Sequence, residues 1–331
     1  MDHYQTLVKL CQNRRDAAMT LIDGYEGGVL AVDRAIDLSQ SVRGSSSFWE
    51  LVYRPELSED SIWSLPDYLS QLRDDWLRNH PDEISGAKMA IAGISTDLQT
   101  DSTVSVVLRR TNWREVRAFQ EAVETHSRPD LTYPLMHHHF DFRGCPVPNI
   151  AVAHCIVETS DSMFLVTQRS PSVRYHPRHW SVSLEEGLSF YDLEADQDIL
   201  EAATVRGVRE ELGIDVQNLV EGFDVLGVLV EFPILNPALV TFLRIDCSAS
   251  QIRRSWKNLC QRSDSVPEVI ALSFLPVQLE SLIREWRSTV PSPQRESGTP
   301  GPWHPTSRFR LLVAMIHCFG VEDVVDVLMG L

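Results

Sequence analysis

The sequence predicts an α/β (α+β) chain: a mixed sheet sandwiched between helices over residues 146–331, preceded by a small α+β domain over residues 1–145. Three observations carry this prediction. From Asn149 onward, apolar runs of strand length flank one long amphipathic segment, and the order strands, helix, strands, helix suits a layered sheet. Before it, two alternating segments lie between helical ones. Of the 331 residues 43% are hydrophobic, enough to fill two ordinary cores.

Composition narrows the function classes. A formal net charge of −16 disfavours a partner that is only a polyanion, so no nucleic-acid polymer is expected, whereas a small phosphorylated substrate arriving with a cation is compatible. Cys11, Cys145, Cys155, Cys247, Cys260 and Cys318 are scattered without a C-x-x-C pair, which points to buried thiols in a reducing compartment. Met1-Asp2-His3-Tyr4 carries no basic region ahead of an apolar core, and no apolar run is long enough to span a bilayer. A soluble, cytoplasmic protein without membrane contact is expected.

In the first region, residues 4–22 and 65–77 read as helices around a loop at Gly44-Ser45-Ser46-Ser47. Residues 89–94 and 104–108 alternate as strands, a hairpin across 96–101, and residues 113–123 follow as a helix. His137 and His139 would share a face if extended, yet no acidic or cysteine ligand stands at metal spacing beside them, and an interdomain linker ending near Cys145-Pro146-Val147-Pro148 is the plainer reading. The region carries no chemical motif; a substrate lid, a homodimer interface or a surface for a protein partner are its open roles.

Residues 150–158 and 163–168 then form two strands joined at Asp161-Ser162. Arg169, Arg174 and Arg178 follow, a basic cluster whose planar guanidinium forks suit phosphate oxygens and equally suit an acidic surface. Residues 179–183, with Trp180, read as a strand leading to a loop at Glu185-Glu186-Gly187. The central helix begins at Asp198, which with Glu201 has the form of a capping box, and ends at Gly213 in position for a left-handed cap. Between them Leu200, Ala203, Val205, Val208 and Leu212 return at helical intervals. Glu210 and Glu211 lie in the last turn, where the helix dipole disfavours negative charge and a bound cation would relieve it. Strands at 223–232, 238–245 and 269–274, a helix at 277–287, a mobile Pro/Ser/Gly-rich loop at 288–307 and helices at 308–319 and 321–328 complete the chain.

The segment from Arg206 to Ile214 resembles the second half of the Nudix box, in which R-E-U-x-E-E-x-G-U closes the motif. Arg206, Val208, Glu210, Glu211, Gly213 and Ile214 fall on that pattern, and Gly207 replaces the glutamate that follows the arginine. E-E-L-G-I is also an ordinary way to end an amphipathic helix. Two alignments of the first half stay open: one counts back to Asp198 and Asp192, the other uses Glu185-Glu186-Gly187 and inserts residues 189–197. The second keeps a glycine in the loop.

The resemblance implies a Nudix-type fold and a Mg2+ (or Mn2+) dependent hydrolase acting on a diphosphate bond of a nucleoside diphosphate linked to another group. It implies Glu210, Glu211 and Glu186 as metal ligands and Glu211, Glu210, Arg206 and Glu268 as catalytic residues, Arg206 orienting Glu210 one turn on and Glu268 completing the metal shell or acting as base. Arg169, Arg174, Arg178 and Trp180 would meet the substrate. With Gly207 in place of an acid, the alternative is a catalytically inactive Nudix module that binds a phosphorylated metabolite or protein partner. An isopentenyl-diphosphate isomerase ranks last, because its cysteine and histidine-rich metal site find no match near His176 or His179.

Overall fold

The structure is a computed structural model, and it describes residues 20–22, 29–31, 49–53, 67–81, 86–97, 103–126, 149–194, 198–215, 219–231, 236–262, 267–288, 290–293 and 299–329. The first region contains β1 (Thr20–Ile22), β2 (Val29–Ala31), β3 (Trp49–Tyr53), α1 (Asp67–Asn79), β4 (Ala87–Asp97), β5 (Thr103–Asn112) and α2 (Trp113–His126). There follow β6 (Val152–Thr159), β7 (Met163–Arg169), β8 (Trp180–Val182), β9 (Leu184–Gly187), α3 (Ile199–Leu212), β10 (Val220–Glu231), β11 (Asn236–Ile245), α4 (Ala249–Arg262), β12 (Val269–Pro276), α5 (Leu279–Arg287), α6 (Ser307–Phe319) and α7 (Val321–Met329).

The fold is α+β with a mixed sheet between helices. Its strands run β1-β2-β10-β11-β6-β7-β12, with β8 paired to β7 and β9 to β6; a separate sheet runs β3-β5-β4. β6 and β11 are parallel, and the other pairs of the large sheet are antiparallel. Period-two alternation sorts side chains to two cores. Cys155, Val157, Leu165, Leu243 and Ile245 join Val208 and Leu212 of α3 and Ile252 of α4 on one side. Ile156, Phe164, Val166, Val240 and Phe242 meet Leu282 of α5, Leu312 of α6 and Val324 of α7 on the other. Each such buried side chain contributes about 1.5–3 kcal/mol, so both faces hold the sheet.

One irregularity positions the site. β6 and β7 pair beside their turn, at Glu158 and Phe164, and then part; β8 and β9 fill the gap between them. The chain turns from β8 to β9 at Ser183, whose φ of 35° lies in the left-handed region. Its Oγ donates to Leu165 O (2.8 Å) and accepts from Val157 N (2.9 Å), tying the two separating strands to the corner.

Several expectations are corrected. Thr20–Ile22 is a strand rather than the end of a helix, because it pairs with β2, which extends the sheet from β10; residues 4–19 lie outside the described residues, as do Gly44-Ser47, residues 98–102, His137-His139 and Cys145-Pro148. Glu185-Glu186-Gly187 is strand, not loop, since β9 pairs with Val152–Cys155. α4 is an element the sequence reading lacks. The 288–307 segment is not simply a mobile surface loop: Trp303 and His304 are buried, and Trp180 donates its N–H to Pro302 O while His304 donates to Trp180 O. Burial lifts the Cys155 thiol to about 12. Among the described residues no helix is long and apolar enough to cross a membrane.

Candidate active site

α3 is capped as its sequence predicts: Asp198 Oδ1 accepts from Leu200 N (2.8 Å) and Glu201 N (3.4 Å), and Gly213, at φ 69°, closes the last turn with its N–H on Arg209 O. Its apolar face is anchored by Leu200, Ala203, Val208 and Leu212, all fully buried. This fixes Arg206, Glu210 and Glu211 along a cleft of about 750 Å3 beside β9. Glu186, Arg206, Glu210, Glu211 and Glu268 line it together with His154, Arg169, Tyr175, Glu185 and His304, and Gly86, Lys88 and Trp113 of the first region complete the wall.

Consecutive residues of a strand point to opposite faces, and β9 separates two environments in this way. Glu185 lies opposite His154 in the β6–β9 register and points toward α6. It pairs with Arg169 (2.5 Å), with Arg310 and with His304 (3.4 Å), and accepts from Ser181 Oγ (2.9 Å). Burial opposes its charge, but the Arg169 and Arg310 guanidiniums hold the carboxyl well below the usual range. Burial keeps His154 and His304 well below their ordinary value, so both rings are neutral at pH 7.

Glu186 points instead toward α3. A Cβ at Gly207 would stand 3.2 Å from both Glu186 Cβ and Glu186 Oε2. The helix packs this close to the strand because position 207 has no side chain. Arg206 holds Glu186 (2.8 Å) and clamps Asp192 through Nε (2.9 Å) and Nη2 (3.0 Å), the latter nitrogen also donating to Gly187 O (3.1 Å). Its contact with Glu210 is longer, 3.5 Å, to a carboxylate whose side chain is 55% exposed. Arg206 therefore braces Asp192 and β9 rather than chiefly orienting Glu210. Burial raises the Glu186 carboxyl against the pull of Arg206 and Lys88. Glu211 is raised further, well above its ordinary value, first by burial and then by Glu186 and Glu268. Among the described residues no hydrogen bond or ion pair holds Glu211.

No family model matches the sequence, and no curated protein matches it. Solved structures do match. A Nudix hydrolase from Alicyclobacillus acidocaldarius is 13% identical and covers 54% of this chain and 96% of its own, with a TM-score of 0.34. The NUDIX domain of Shewanella oneidensis NrtR, complexed with ADP ribose, is 11% identical and covers 50% and 86%, with a TM-score of 0.30. The MutT protein of Methanosarcina mazei Go1 is 20% identical and covers 45% and 89%, with a TM-score of 0.28. The likeness is to Nudix folds, over part of the chain.

Set against the residues expected from the Nudix resemblance, the cleft gathers Glu186, Arg206, Glu210, Glu211 and Glu268. The four residues expected to meet substrate divide. Arg169 reaches the cleft with its guanidinium on Glu185 and Tyr175 O. Arg174 pairs with Glu121 of α2 and lies over the Tyr175 ring, outside the lining. Arg178, at φ 63°, presents its carbonyl to Gln168 and does not line the cleft. Trp180 is fully buried in the core beneath α6, so its ring is a packing element and not a substrate contact.

The sequence reading missed His154, Asp192, His304 and Arg310, which form the frame, and Lys88 and Trp113, which reach in from the first region. Asp192 had one signal, its place fourteen residues ahead of Arg206, at the start of the motif in an uninterrupted count. His304 and Arg310 had none, lying more than 100 residues from the glutamate they hold.

Proposed function

We propose that residues 146–331 form a Nudix-type hydrolase domain that cleaves a diphosphate bond in a nucleoside diphosphate-linked small molecule, with Mg2+ or Mn2+. The observation that carries this reading is Glu211: a carboxylate in a cleft, beside Glu186 and Glu268, and in no ion pair among the described residues, with Arg169 only partly offsetting its acidic neighbours. Such a group favours a divalent ion over a proton once one is supplied.

The residues fit that ion. Glu186, Glu210 and Glu211 offer hard carboxylate oxygens, and the space a side chain at Gly207 would need is filled by the carboxylate of Glu186. The third acid that the resemblance lacks on the helix thus has a substitute on β9. A bound ion supplies Lewis acidity toward the diphosphate oxygens and toward water. Arg206, clamped by Asp192, keeps Glu186 against α3, and Glu268, exposed at the mouth, takes the proton of the attacking water.

Release of phosphate or nucleoside monophosphate from a panel of nucleoside diphosphate derivatives, with Mg2+ or Mn2+, tests the reading. Turnover that Glu211→Gln abolishes in a protein that still folds supports it. A folded protein that binds a panel member and turns over none overturns it in favour of a binding module, the reading that Gly207 favours. A pair exchange sharpens the metal assignment: Gly207→Glu alone must displace Glu186, whereas Gly207→Glu with Glu186→Ala restores Mn2+ binding, read by electron paramagnetic resonance, above the level of Glu186→Ala alone.

A further inference from the structure

We propose that the first region completes the ligand site, with Lys88 contacting the anionic group of a nucleoside diphosphate and Trp113 forming the wall against which its planar base packs. The proposal rests on the reading that the cleft takes a diphosphate.

The cleft is lined by three permanent cations, and they are not equally engaged. Arg206 is taken by Asp192, Glu186 and Gly187 O. Arg169 is taken by Glu185 and Tyr175 O. Lys88, on β4, has one polar contact among the described residues, a 3.4 Å bond to the Gly187 carbonyl that Arg206 already holds at 3.1 Å. An ammonium carries three donors, so most of its capacity is unspent. It stands at the corner between Glu186 and the first region, where it lowers the Glu186 carboxyl and would meet an anion drawn toward the carboxylate side.

Its position is fixed by more than proximity. Met89 N donates to Leu188 O and Ala151 N to Met89 O, both within 3.0 Å, and the Asn149 side chain bonds both the N–H and the C=O of Ile91. Just past Lys88, β4 is therefore joined by backbone bonds to Leu188 beyond β9 and to Ala151 ahead of β6, and by the Asn149 side chain at Ile91. Trp113, the first residue of α2, is held there by its N–H on Gly86 O (3.1 Å) and carries the Arg117 guanidinium 5.8 Å from its ring. Beneath, His154 lines the same cleft, is 1% exposed, and its Nδ1 has no hydrogen-bond partner among the described residues. A wall with one underused cation, an indole and a buried polar atom suits a ligand with charge at one end and a flat, hydrogen-bonding ring at the other.

The full chain is titrated calorimetrically with ADP and, separately, with inorganic pyrophosphate, Mg2+ present. Lys88→Met is expected to weaken both about tenfold or more, the order of one charge-assisted hydrogen bond, and Lys88→Arg to retain most of the affinity. Trp113→Ala is expected to weaken ADP by about tenfold and leave pyrophosphate unchanged. Lys88→Gln, which keeps a donor for Gly187 O, carries the test if the methionine variant fails to fold. Wild-type protein that binds neither probe, or binding that the Lys88 variants leave unchanged, overturns the proposal. Turnover of the nucleotide panel with Lys88 variants that bind normally sinks this inference and spares the hydrolase; weakened binding without any turnover does the reverse.

Discussion

Glu185 and Glu186 are neighbours on a four-residue strand, and the two sides of that strand treat the same functional group in opposite ways. Toward α6, Glu185 is surrounded by Arg169, Arg310 and the neutral His304 ring, and the two guanidiniums match its charge. Toward α3, Glu186 shares one arginine with Asp192 and looks across at Glu211, where negative charge is in excess. A fully matched carboxylate holds a fold together; an unmatched one costs stability and is available to a ligand. The difference separates frame from chemistry within a single dipeptide.

The comparison can be broken most directly by Glu185→Ala. It leaves the fully buried Arg310 without its carboxylate and is expected to cost roughly 3–5 kcal/mol in denaturant unfolding, whereas Glu186→Ala is expected to cost less than about 1 kcal/mol. Equal losses would erase the distinction. Gly301→Ala comes next. Its Cβ would fall 2.1 Å from Arg178 O, pushing away the segment that delivers His304 to Glu185, at about 1–3 kcal/mol.

Acidity sharpens the contrast because the two sides respond with opposite sign. The folded histidines have lowered pKa values, so below about 6.5 the unfolded chain takes protons that His154 and His304 refuse, and stability falls by up to roughly 1.4 kcal/mol per pH unit for each. His154→Gln should flatten that slope in unfolding measured across pH. Glu211 has a raised value, so its contribution is present at low pH and is lost as pH rises through the folded value. Glu211→Gln should therefore stabilise the metal-free protein at neutral pH by on the order of 1 kcal/mol while removing turnover. Asp198→Ala, which touches neither side, is the control: about 1 kcal/mol from the lost cap, read in denaturant unfolding.

How far the sequence discloses this arrangement depends on the range of the interaction. α3 is legible because its caps and apolar stripe are local, and the paired strands β6, β7 and β11 because each reads as an apolar run. β9 is not, since Leu-Glu-Glu-Gly has no strand propensity and is extended by pairing with β6 and by the ions around Glu185. α4 hides for another reason: Ile252, Trp256 and Leu259 do return at helical spacing, but only Ile252 is buried and most of the remaining positions are polar. Glu210, Glu211 and Arg206 were accessible through a motif, whereas the frame of His304 and Arg310 arrives from across the chain and leaves no trace in spacing. Trp180 misled because an aromatic beside an arginine cluster reads the same whether it faces a ligand or a core.

The hydrogen bonds between β4 and residues 149–151 set where the chain can be cut. A fragment beginning at Asn149 would keep every residue of the carboxylate cluster, yet Asn149 would lose both bonds to Ile91 and Ala151 N would lose its acceptor. The new end would carry a bare strand margin, the kind of surface on which chains stick to one another. Expression trials should start upstream of Gly86, and a shortened protein that precipitates would say little about its catalytic competence.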